Sequence, residues 1–326
     1  MSFGHWFIGY YLVIEMKFLY TSDLHGETYL YQELLSLAIS SSSEIMVIGG
    51  DLLPSFPPTR RYEDMVPNQR AFIDQFLSPF FKRILETTSI QQIFLIAGNW
   101  DLGYPFLFRE TPEKIFDLNQ RSHRLENGYE LLGYPFVPPT PFRPKDFEKM
   151  DDRETPWPPQ KNPSYIRSSN QGDPWLPSAS PRGERPEASR LIPVDPYRYL
   201  RERETIKEDL DRLPKPIQSR RAIYVMHSPP FGTRLDLIEG GKPAGSRSIK
   251  AFIERNQPLL TLHGHIHEAP ALSGTYVTRI GEALSINPGQ FTRTAREVRR
   301  LHAVSFEIER IEQTLMHTCF PKVRSK

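Results

Sequence analysis

The chain has 326 residues, with 41 basic and 39 acidic side chains and a formal net charge of +2. This length allows one large α/β domain with an insertion, or two domains. The near balance of charge gives no electrostatic case for binding nucleic acid or a membrane surface. The single cysteine, Cys319, excludes an intramolecular disulfide and favours a reducing compartment, so we predict a cytoplasmic protein.

The first fifteen residues carry a short apolar run at residues 6–14. The run is too short to span a bilayer, and it has neither a basic leader nor a small-residue cleavage site. We therefore predict no transmembrane helix and no secretion signal. Met16 directly precedes the first predicted strand, so residues 1–15 are interpreted as an N-terminal extension.

Five short, nearly continuous apolar runs follow, a pattern typical of strands covered on both faces. They are residues 17–22, 45–48, 93–97, 222–226 and 259–262. Each run leads into side chains that can bind a metal, in the segments Asp23-Leu24-His25, Gly50-Asp51, Gly98-Asn99, His227 and Gly264-His265-Ile266-His267. Because ligands of open α/β sheets collect at the carboxyl ends of strands, we expect these side chains to lie together.

The donor atoms in these segments are carboxylate and amide oxygens and imidazole nitrogens, without a thiolate. This mixture suits divalent Mn, Fe, Zn, Co, Ni or Mg. Any one residue alone has an ordinary structural interpretation: Asp23 or Asp51 as a turn residue, His227 as a hydrogen-bonded core histidine. The convergence of all five segments favours a metal-dependent active site.

The remaining elements alternate with these strands in the manner of a layered α/β fold. Helices are predicted at residues 27–39, 69–86, 197–213 and 246–256. The second is expected to kink or split at Pro79, because proline cannot donate the helical hydrogen bond. Short strands predicted at residues 276–280, 283–286 and 303–308 are expected to complete a second sheet.

The middle of the chain is rich in proline, with sixteen of the 31 prolines between Pro138 and Pro216. Such a long irregular segment between Asn99 and His227 predicts either a lid or cap that sets specificity, or a mobile surface insertion. The chain is accordingly divided into a main domain, residues 16–137 and 217–326, and an insertion, residues 138–216.

In order, the five polar segments resemble the calcineurin-like metallophosphoesterase superfamily. The family pattern is Asp-x-His, Gly-Asp, Gly-Asn, a distant His and Gly-His-x-His, and the match runs from Asp23 to His267. Residues 228–233, 264–268 and 287–289 are further similar to a prokaryotic branch of that family. The resemblance implies that the main domain is a four-layer α/β/β/α sandwich of two mixed sheets.

The resemblance also implies two divalent metal ions bridged by the Asp51 carboxylate, with a metal-bridging hydroxide as nucleophile. Asp23, His25 and His267 would complete one metal site, and Asn99, His227 and His265 would complete the other. Among these residues Asp51, Asn99 and His227 are expected to serve catalysis. Two adjacent cations lower the pKa of a bridging water and neutralise the oxygens of an in-line displacement.

One position departs from the family pattern. Monoesterases of the group carry a histidine after Asn99, thought to protonate the leaving group, and this chain has Trp100. Indole has no nitrogen that titrates near neutral pH, so a phosphodiesterase is favoured over a phosphomonoesterase or protein phosphatase. Trp100 is interpreted either as a substrate-binding platform that stacks on a base or sugar or as a packing residue.

His263 alternates with His265 and His267 and is a second candidate for substrate binding, with a structural histidine as the alternative. The sequence thus predicts a metal-dependent phosphoesterase acting on a phosphate ester such as a nucleotide, with nucleic acid an unsupported partner. The alternative from another class is a non-catalytic metal-binding scaffold, which the complete ligand set disfavours. The sequence indicates neither the physiological substrate, nor the metal, nor the oligomeric state.

Overall fold

The computed structural model describes residues 16–57, 59–108, 113–156, 164–167, 191–290 and 300–320. The predicted N-terminal extension, residues 1–15, lies outside these ranges, as does part of the predicted insertion. Within these ranges, none of the helices combines the length and the apolar character needed to cross a bilayer.

The first sheet contains six strands. In chain order they are β1 (Lys17–Thr21), β2 (Ile45–Ile48), β3 (Gln92–Leu95), β4 (Ile115–Asp117), β15 (Ala303–Glu307) and β16 (Met316–His317). Their spatial order is β16-β15-β1-β2-β3-β4. Strands β1 to β4 are parallel, whereas β15 is antiparallel to β1 and β16 is antiparallel to β15.

The expectation that residues 303–308 belong to the second sheet is therefore wrong. Strand β15 instead pairs with the edge of β1 that β2 leaves open. The Phe306 ring stacks on the Phe18 ring with 5.3 Å between centroids, which adds an aromatic contact to the backbone pairing.

The second sheet also has six strands. They are β5 (Ser122–Arg124), β6 (Glu130–Tyr134), β9 (Ala222–Met226), β12 (Leu260–Leu262), β13 (Val277–Ile280) and β14 (Ala283–Ile286). Their spatial order is β13-β14-β12-β9-β6-β5, with antiparallel strands at both edges and parallel strands between them. Among the described residues, two further antiparallel two-stranded sheets pair β7 (Ser164–Arg167) with β8 (Leu191–Val194) and β10 (Leu237–Ile238) with β11 (Lys242–Pro243).

Helices form the outer layers of the molecule. They are α1 (Thr28–Ser41), α2 (Met65–Phe72), α3 (Ser78–Thr87), α4 (Tyr104–Leu107), α5 (Pro196–Arg201), α6 (Ile206–Arg212), α7 (Arg247–Asn256), α8 (Ala269–Ser273) and α9 (Ile311–Thr314). The helices predicted at residues 27–39 and 246–256 are confirmed as α1 and α7.

The core has a layer between the sheets and layers beneath the helices. Val47 and Phe94 of the first sheet share one apolar cluster with Ile223 and Leu262 of the second. The neighbouring residues of each strand point to the other face and pack with the helices, because strand side chains alternate. The predicted four-layer α/β/β/α sandwich of two mixed sheets is confirmed.

The helix predicted at residues 69–86 is interrupted near Pro79, where a π-helical segment, Ile73–Leu77, separates α2 from α3. The single helix predicted at residues 197–213 is wrong, because the chain forms α5 and α6 instead. Thr205 and Glu208 form a capping box that starts α6 afresh.

The described parts of residues 138–216 are attached to the main body. The Asp151 carboxylate accepts hydrogen bonds from the Arg247 N–H at 2.8 Å and the Ser246 hydroxyl at 2.5 Å, at the first turn of α7. The Tyr134 hydroxyl of β6 donates to Asp209 at 2.8 Å, and within the segment itself buried ion pairs join Lys149 to Asp209 at 2.6 Å and Arg167 to Asp146 at 2.9 Å. The role of this segment as a cap stays a prediction.

Candidate metal centre

The predicted ligands follow the central parallel strands of both sheets. Asp23, Asp51 and Asn99 come just after β1, β2 and β3, which are neighbours in the first sheet. His227 and His265 come after β9 and β12, which are neighbours in the second. A hydrogen bond of 3.0 Å from the His265 N–H to the Asp23 carboxylate joins loops of the two sheets, so both sheets contribute to one polar centre.

Four predicted ligands have a left-handed backbone. The φ angle is 59° at Asp23, 47° at His25, 52° at Asp51 and 67° at His265. A side chain in this conformation costs about 1–3 kcal/mol, and such strain persists mainly where the surroundings and the function require it. The backbone of the centre is thus bent so that these side chains point inward at the end of each strand.

Two glycines permit close approach to the carboxylates. A Cβ atom at Gly98 would lie 2.2 Å from Asp51 Oδ1, and one at Gly264 would lie 2.5 Å from Asp23 Oδ2. Neither distance is compatible with a side chain, so any larger residue would displace a carboxylate. The close approach of a carboxylate explains why glycine precedes Asn99 and His265 in the two ligand motifs.

One group of donor atoms, the Asp23 cluster, comprises Asp23, His25, Asp51 and His267, all within 4.8 Å of one another. His267 Nε2 lies 3.2 Å from Asp23 Oδ1 and 3.1 Å from His25 Nε2. His25 Nε2 lies 3.7 Å from Asp51 Oδ2. Two carboxylates and two imidazoles therefore converge on one point at the surface of the cleft.

A second group, the His227 cluster, comprises Asp51, His227 and His265, again with donor atoms within 4.8 Å of one another. His227 Nε2 lies 3.4 Å from Asp51 Oδ2. Asp51 belongs to both clusters, and its other oxygen accepts a hydrogen bond of 2.9 Å from the Trp100 N–H. The two clusters thus adjoin at a single carboxylate.

Two buried polar atoms near this carboxylate have no hydrogen-bond partner within the described part of the chain, Asn99 Oδ1 and His227 Nε2. The Nδ1 atom of His227 lies 2.8 Å from the Gly49 carbonyl oxygen, which can only accept, so Nδ1 carries the proton there. A buried polar atom left unpaired costs about 1–3 kcal/mol. An amide oxygen and an imidazole nitrogen are both good donors to a divalent cation, so the residues fit a metal site.

The histidine pKa values differ across the centre. Burial lowers the pKa of His25 to about 4 and that of His265 to about 3, against the pull of Asp51. Burial acts in the same direction on His227, but Asp51 and Asp23 outweigh it and raise the pKa of His227 to about 9. At neutral pH two imidazoles are therefore ready to bind a cation, whereas His227 has to release a proton first.

Two supporting residues were missed from the sequence. Ser55 Oγ lies 2.5 Å from His25 Nδ1 and fixes the ring so that Nε2 faces the cluster. The Asp101 carboxylate accepts hydrogen bonds from the backbone of Gly98 and of Leu52 and Leu53, which ties the loop after β3 to the loop after β2. Asp101 lies two residues after Asn99 in the sequence, which could have drawn attention to it, but Ser55 lies in a proline-bounded loop that gives no signal.

The candidacy of His263 for substrate binding is not supported. Its side chain is fully buried, and its Nδ1 lies 2.9 Å from the Ser228 carbonyl oxygen and its Nε2 2.7 Å from the Thr261 hydroxyl. The alternation with His265 fails because β12 ends at Leu262 and the backbone then turns. The structural histidine kept as the alternative is the arrangement found.

A family model described as calcineurin-like phosphoesterase matches residues 16–269, which is most of the chain. The chain belongs to the calcineurin-like phosphoesterase family. The recognition of this family from the five strand-end motifs is thus confirmed, and with it a metal-dependent hydrolase class acting on phosphate esters. No curated protein sequence matches the chain.

Solved structures are similar to this calcineurin-like phosphoesterase in fold at low sequence identity. One crystal structure aligns with a TM-score of 0.58 at 16% identity, covering 94% of this chain and 100% of the other. The crystal structure of TT1561 of Thermus thermophilus gives 0.47 at 16% identity, covering 95% and 100%. An archaeal phosphodiesterase gives 0.41 at 10% identity, covering 93% and 98%.

Trp100, the departure from the family pattern, lies in an aromatic wall of the cleft. Its ring is 6% exposed and packs between Phe56, at 4.9 Å between centroids, and Phe142, at 5.1 Å. Sequence reasoning missed both phenylalanines, because they lie in two separate proline-rich loops far apart in the chain. The structure brings Trp100 to the metal centre, and its contact with substrate stays a prediction.

Proposed function

We propose that this chain is a metal-dependent phosphoesterase that holds two divalent cations and hydrolyses phosphodiesters in preference to monoesters. Asp23, His25, Asp51 and His267 would hold one cation. Asp51, Asn99, His227 and His265 would hold the other. Membership of the family supports the hydrolase class, and the geometry of the donor atoms supports the pair.

The observation that carries the proposal is the position of Asp51 in both donor clusters, with His25 and His227 on its carboxylate. A scaffold that only kept the fold would have no reason to bury Asn99 Oδ1 without a partner, because an unpaired buried polar atom is costly. When bound, two divalent cations lower the pKa of a water between them and neutralise the charge of the phosphate oxygens.

The chain's own residues would prepare this chemistry in two ways. Ser55 and the Gly49 carbonyl orient His25 and His227 so that the Nε2 atom of each faces the position of the bound cation. The imidazole donors and the Asn99 amide add no negative charge of their own. The centre would therefore keep net positive charge toward a phosphate anion.

The preference for diesters rests on Trp100. The backbone N–H of this residue is committed to Asp51, and its ring is held between Phe56 and Phe142, so no titrating group stands at the position that follows Asn99. A monoester dianion with a poor leaving group depends most on a positioned acid. A diester carries one charge fewer and brings a second substituent that could lie against the aromatic wall.

The proposal is tested by turnover of bis-p-nitrophenyl phosphate and p-nitrophenyl phosphate by chelator-stripped protein with added Mn²⁺. We expect metal-dependent hydrolysis of both, with the larger kcat/KM for the diester. Asp211→Asn, an exposed carboxylate paired with Arg255 on the surface, is the matched control and should behave as the wild type. A larger kcat/KM for the monoester would favour a phosphomonoesterase, and bound metal without turnover would favour a scaffold.

We also propose a reducing, cytoplasmic location, supported by the free thiol of Cys319, which is the chain's single cysteine. Cell fractionation with thiol labelling is the test. Recovery of the protein from an oxidising compartment, with Cys319 joined to another chain, would contradict this location.

A further inference from the structure

Two cavities open beside the metal centre, and the same aromatic ridge lines both. The first, of about 540 Å³, borders the Asp23 cluster, and the second, of about 390 Å³, borders the His227 cluster. Trp100, Phe142 and His267 line both cavities. The ridge formed by Trp100 and Phe142 therefore separates two spaces that meet at the ligands.

Phe142 is the exposed part of this ridge. Its side chain is 44% exposed, whereas Trp100 beneath it is 6% exposed, and their ring planes are tilted by 52°. Together with Phe56, which is 56% exposed and also packs on Trp100, Phe142 forms a contiguous aromatic patch at the mouth of a polar centre, and such patches mark ligand-binding grooves. Its position, next to both donor clusters, makes the substrate the natural occupant.

The loop that carries Phe142 is fixed by a buried ion pair. The Lys145 ammonium donates to the Thr140 carbonyl at 2.9 Å, to the Phe142 carbonyl, and to Glu148 Oε2 at 2.7 Å. The side chains of Lys145 and Glu148 are both fully buried. All three ammonium hydrogens are thus used, as a buried charge requires.

A buried ion pair rarely improves stability over well-packed apolar residues, but it can specify one conformation. Here it holds the carbonyl of Phe142 itself, so the conformation it specifies is that of the exposed ring. A recognition residue whose loop is fixed before binding loses less entropy on binding. The Lys145–Glu148 pair is therefore placed to act as a positioning device for Phe142.

The walls on either side of the ridge combine apolar and polar residues. The first cavity is lined by Leu30, Pro54 and Phe56 with Glu27 and Gln290, and the second by Ile238, Ile266 and prolines of residues 138–141 with Glu239 and Glu268. A phosphate held at the metal centre would have room for one substituent on each side of the ridge. Next to the ridge, each space offers apolar surface to a carbon-rich group.

We propose that Phe142 is a specificity-determining residue that selects phosphodiesters bearing a planar aromatic or heteroaromatic substituent. Trp100 and Phe142 divide the cleft so that the two ester substituents lie on opposite sides, and the planar one packs on the exposed face of Phe142. The Lys145–Glu148 pair positions this ring. This inference rests on the proposed function, because it assigns the substrate class of the same site.

The test compares two diesters with the same leaving group and the same charge, bis-p-nitrophenyl phosphate and methyl p-nitrophenyl phosphate, with Mn²⁺-loaded protein. We expect Phe142→Leu to lower the ratio of their kcat/KM values roughly tenfold, mainly through KM of the aryl diester, since an aromatic stacking contact is worth about 1–3 kcal/mol. Phe142→Tyr should restore the ratio. Tyr197→Leu, an aromatic residue of similar exposure on α5, is the control.

Lys145→Met tests the positioning device, and it should lower the same ratio while leaving turnover of the methyl diester nearly unchanged. If this variant does not fold, Phe142→Leu alone decides the proposal. A Phe142→Leu protein with wild-type metal content and an unchanged ratio would overturn it.

Failure of the proposed function gives a different result, namely no turnover of either diester by the wild type. In that case calorimetric affinities for phenylphosphonate and methylphosphonate, whose P–C bonds are stable to hydrolysis, replace the kinetic ratio. A preference for the phenyl compound that Phe142→Leu abolishes would support the assignment of Phe142. Equal affinities for the two compounds in the wild type would overturn it.

Discussion

The two donor clusters share Asp51 but differ in their contact with solvent. In the Asp23 cluster the side chain of His25 is 17% exposed and that of His267 is 32% exposed. In the His227 cluster the side chain of His227 is fully buried, and Asn99 beside it is 1% exposed. When no cation is bound, water can satisfy the donors of the first cluster and can reach the partly exposed His265 of the second, but it cannot reach the buried His227 and Asn99.

This difference separates two roles within one centre. The His227 cluster, with its unpaired buried atoms, has the most to gain from a cation and should hold it tightly. The Asp23 cluster is open to the cleft and should exchange its cation more readily. A centre with one firmly held ion and one exchangeable ion would show two steps in a metal titration. The variants below test this expectation.

Asp51→Asn should have the largest effect, because Asp51 is the only carboxylate among the described residues that belongs to both clusters. We expect turnover of the diester to fall by about 10³-fold or more, which corresponds to about 4 kcal/mol of transition-state stabilisation. Metal content by atomic absorption should fall as well. Wild-type turnover in this variant would contradict the shared role of Asp51.

The second largest effect is expected for His227→Gln, whose loss of Mn²⁺ affinity should exceed that of His267→Gln. We expect about a 10²-fold or greater loss of Mn²⁺ affinity for the first step in the His227 variant, since loss of even a supporting residue commonly costs 10–100-fold. The exposed His267 position can be filled by water, so its variant should weaken mainly the second step. Isothermal titration of the two variants measures the Mn²⁺ affinity of each step. Equal losses of affinity in both variants would contradict the difference between the two clusters.

The pH dependence of the metal-free protein should follow His227. Its pKa in the folded protein is raised to about 9 by Asp51 and Asp23, above the value of about 6.5 for an unfolded histidine. The protonated form therefore stabilises the fold fully below about pH 6.5, and this contribution is lost as pH rises through about 9. His267, whose pKa is also raised, acts in the same direction.

Thermal unfolding of chelator-treated protein between pH 6.5 and 9 measures this loss. We expect the melting temperature to fall across that range and the fall to be smaller in His227→Gln. Saturating Mn²⁺ should remove the slope, because the bound cation takes the place of the proton. A melting temperature that rises from pH 6.5 to 9 in the metal-free wild type would contradict the assignment.

Trp100→His should have the smallest effect. We expect the ratio of monoester to diester turnover to rise by about 10²-fold at most, the lower end of general acid catalysis. The new imidazole would lack an orienting carboxylate, because Asp101 is already bound to three backbone N–H groups. Substrates with leaving groups of matched pKa are needed, and an unchanged ratio would remove Trp100 as the cause of diester preference.

The convergence of the candidate ligands could be predicted from the sequence because they follow strand ends, and strand ends are set by local apolar runs. The pairing of β15 with β1 could not be predicted, since the sequence of a strand does not indicate which open sheet edge it will pair with. The predicted alternation of His263 with His265 and His267 fails for a related reason. Alternation holds only inside a strand, and β12 ends one residue before His263. The break between α5 and α6 was readable in the Thr205-x-x-Glu208 signature.

The aromatic wall could not be predicted in the same way. Phe56 and Phe142 meet Trp100 only through the folded loops, and neither loop has a periodic pattern that fixes its path. The Lys145–Glu148 pair was hidden for another reason, since a Lys and a Glu three residues apart usually mark an exposed helix face. Here the Lys145 ammonium turns inward and donates to two carbonyls of its own loop, and the Glu148 carboxylate accepts from Lys145 and Thr140.

The most direct test of a dinuclear centre bridged by Asp51 is an anomalous-difference map of Mn²⁺-soaked crystals, recorded at the manganese absorption edge. Two peaks about 3.5–4 Å apart are expected on either side of the Asp51 carboxylate, one near His25 and His267 and the other near His227 and Asn99. The peak of the His227 cluster should persist at the lower metal concentration. A single peak, or peaks that Asp51 does not contact, would contradict the shared centre.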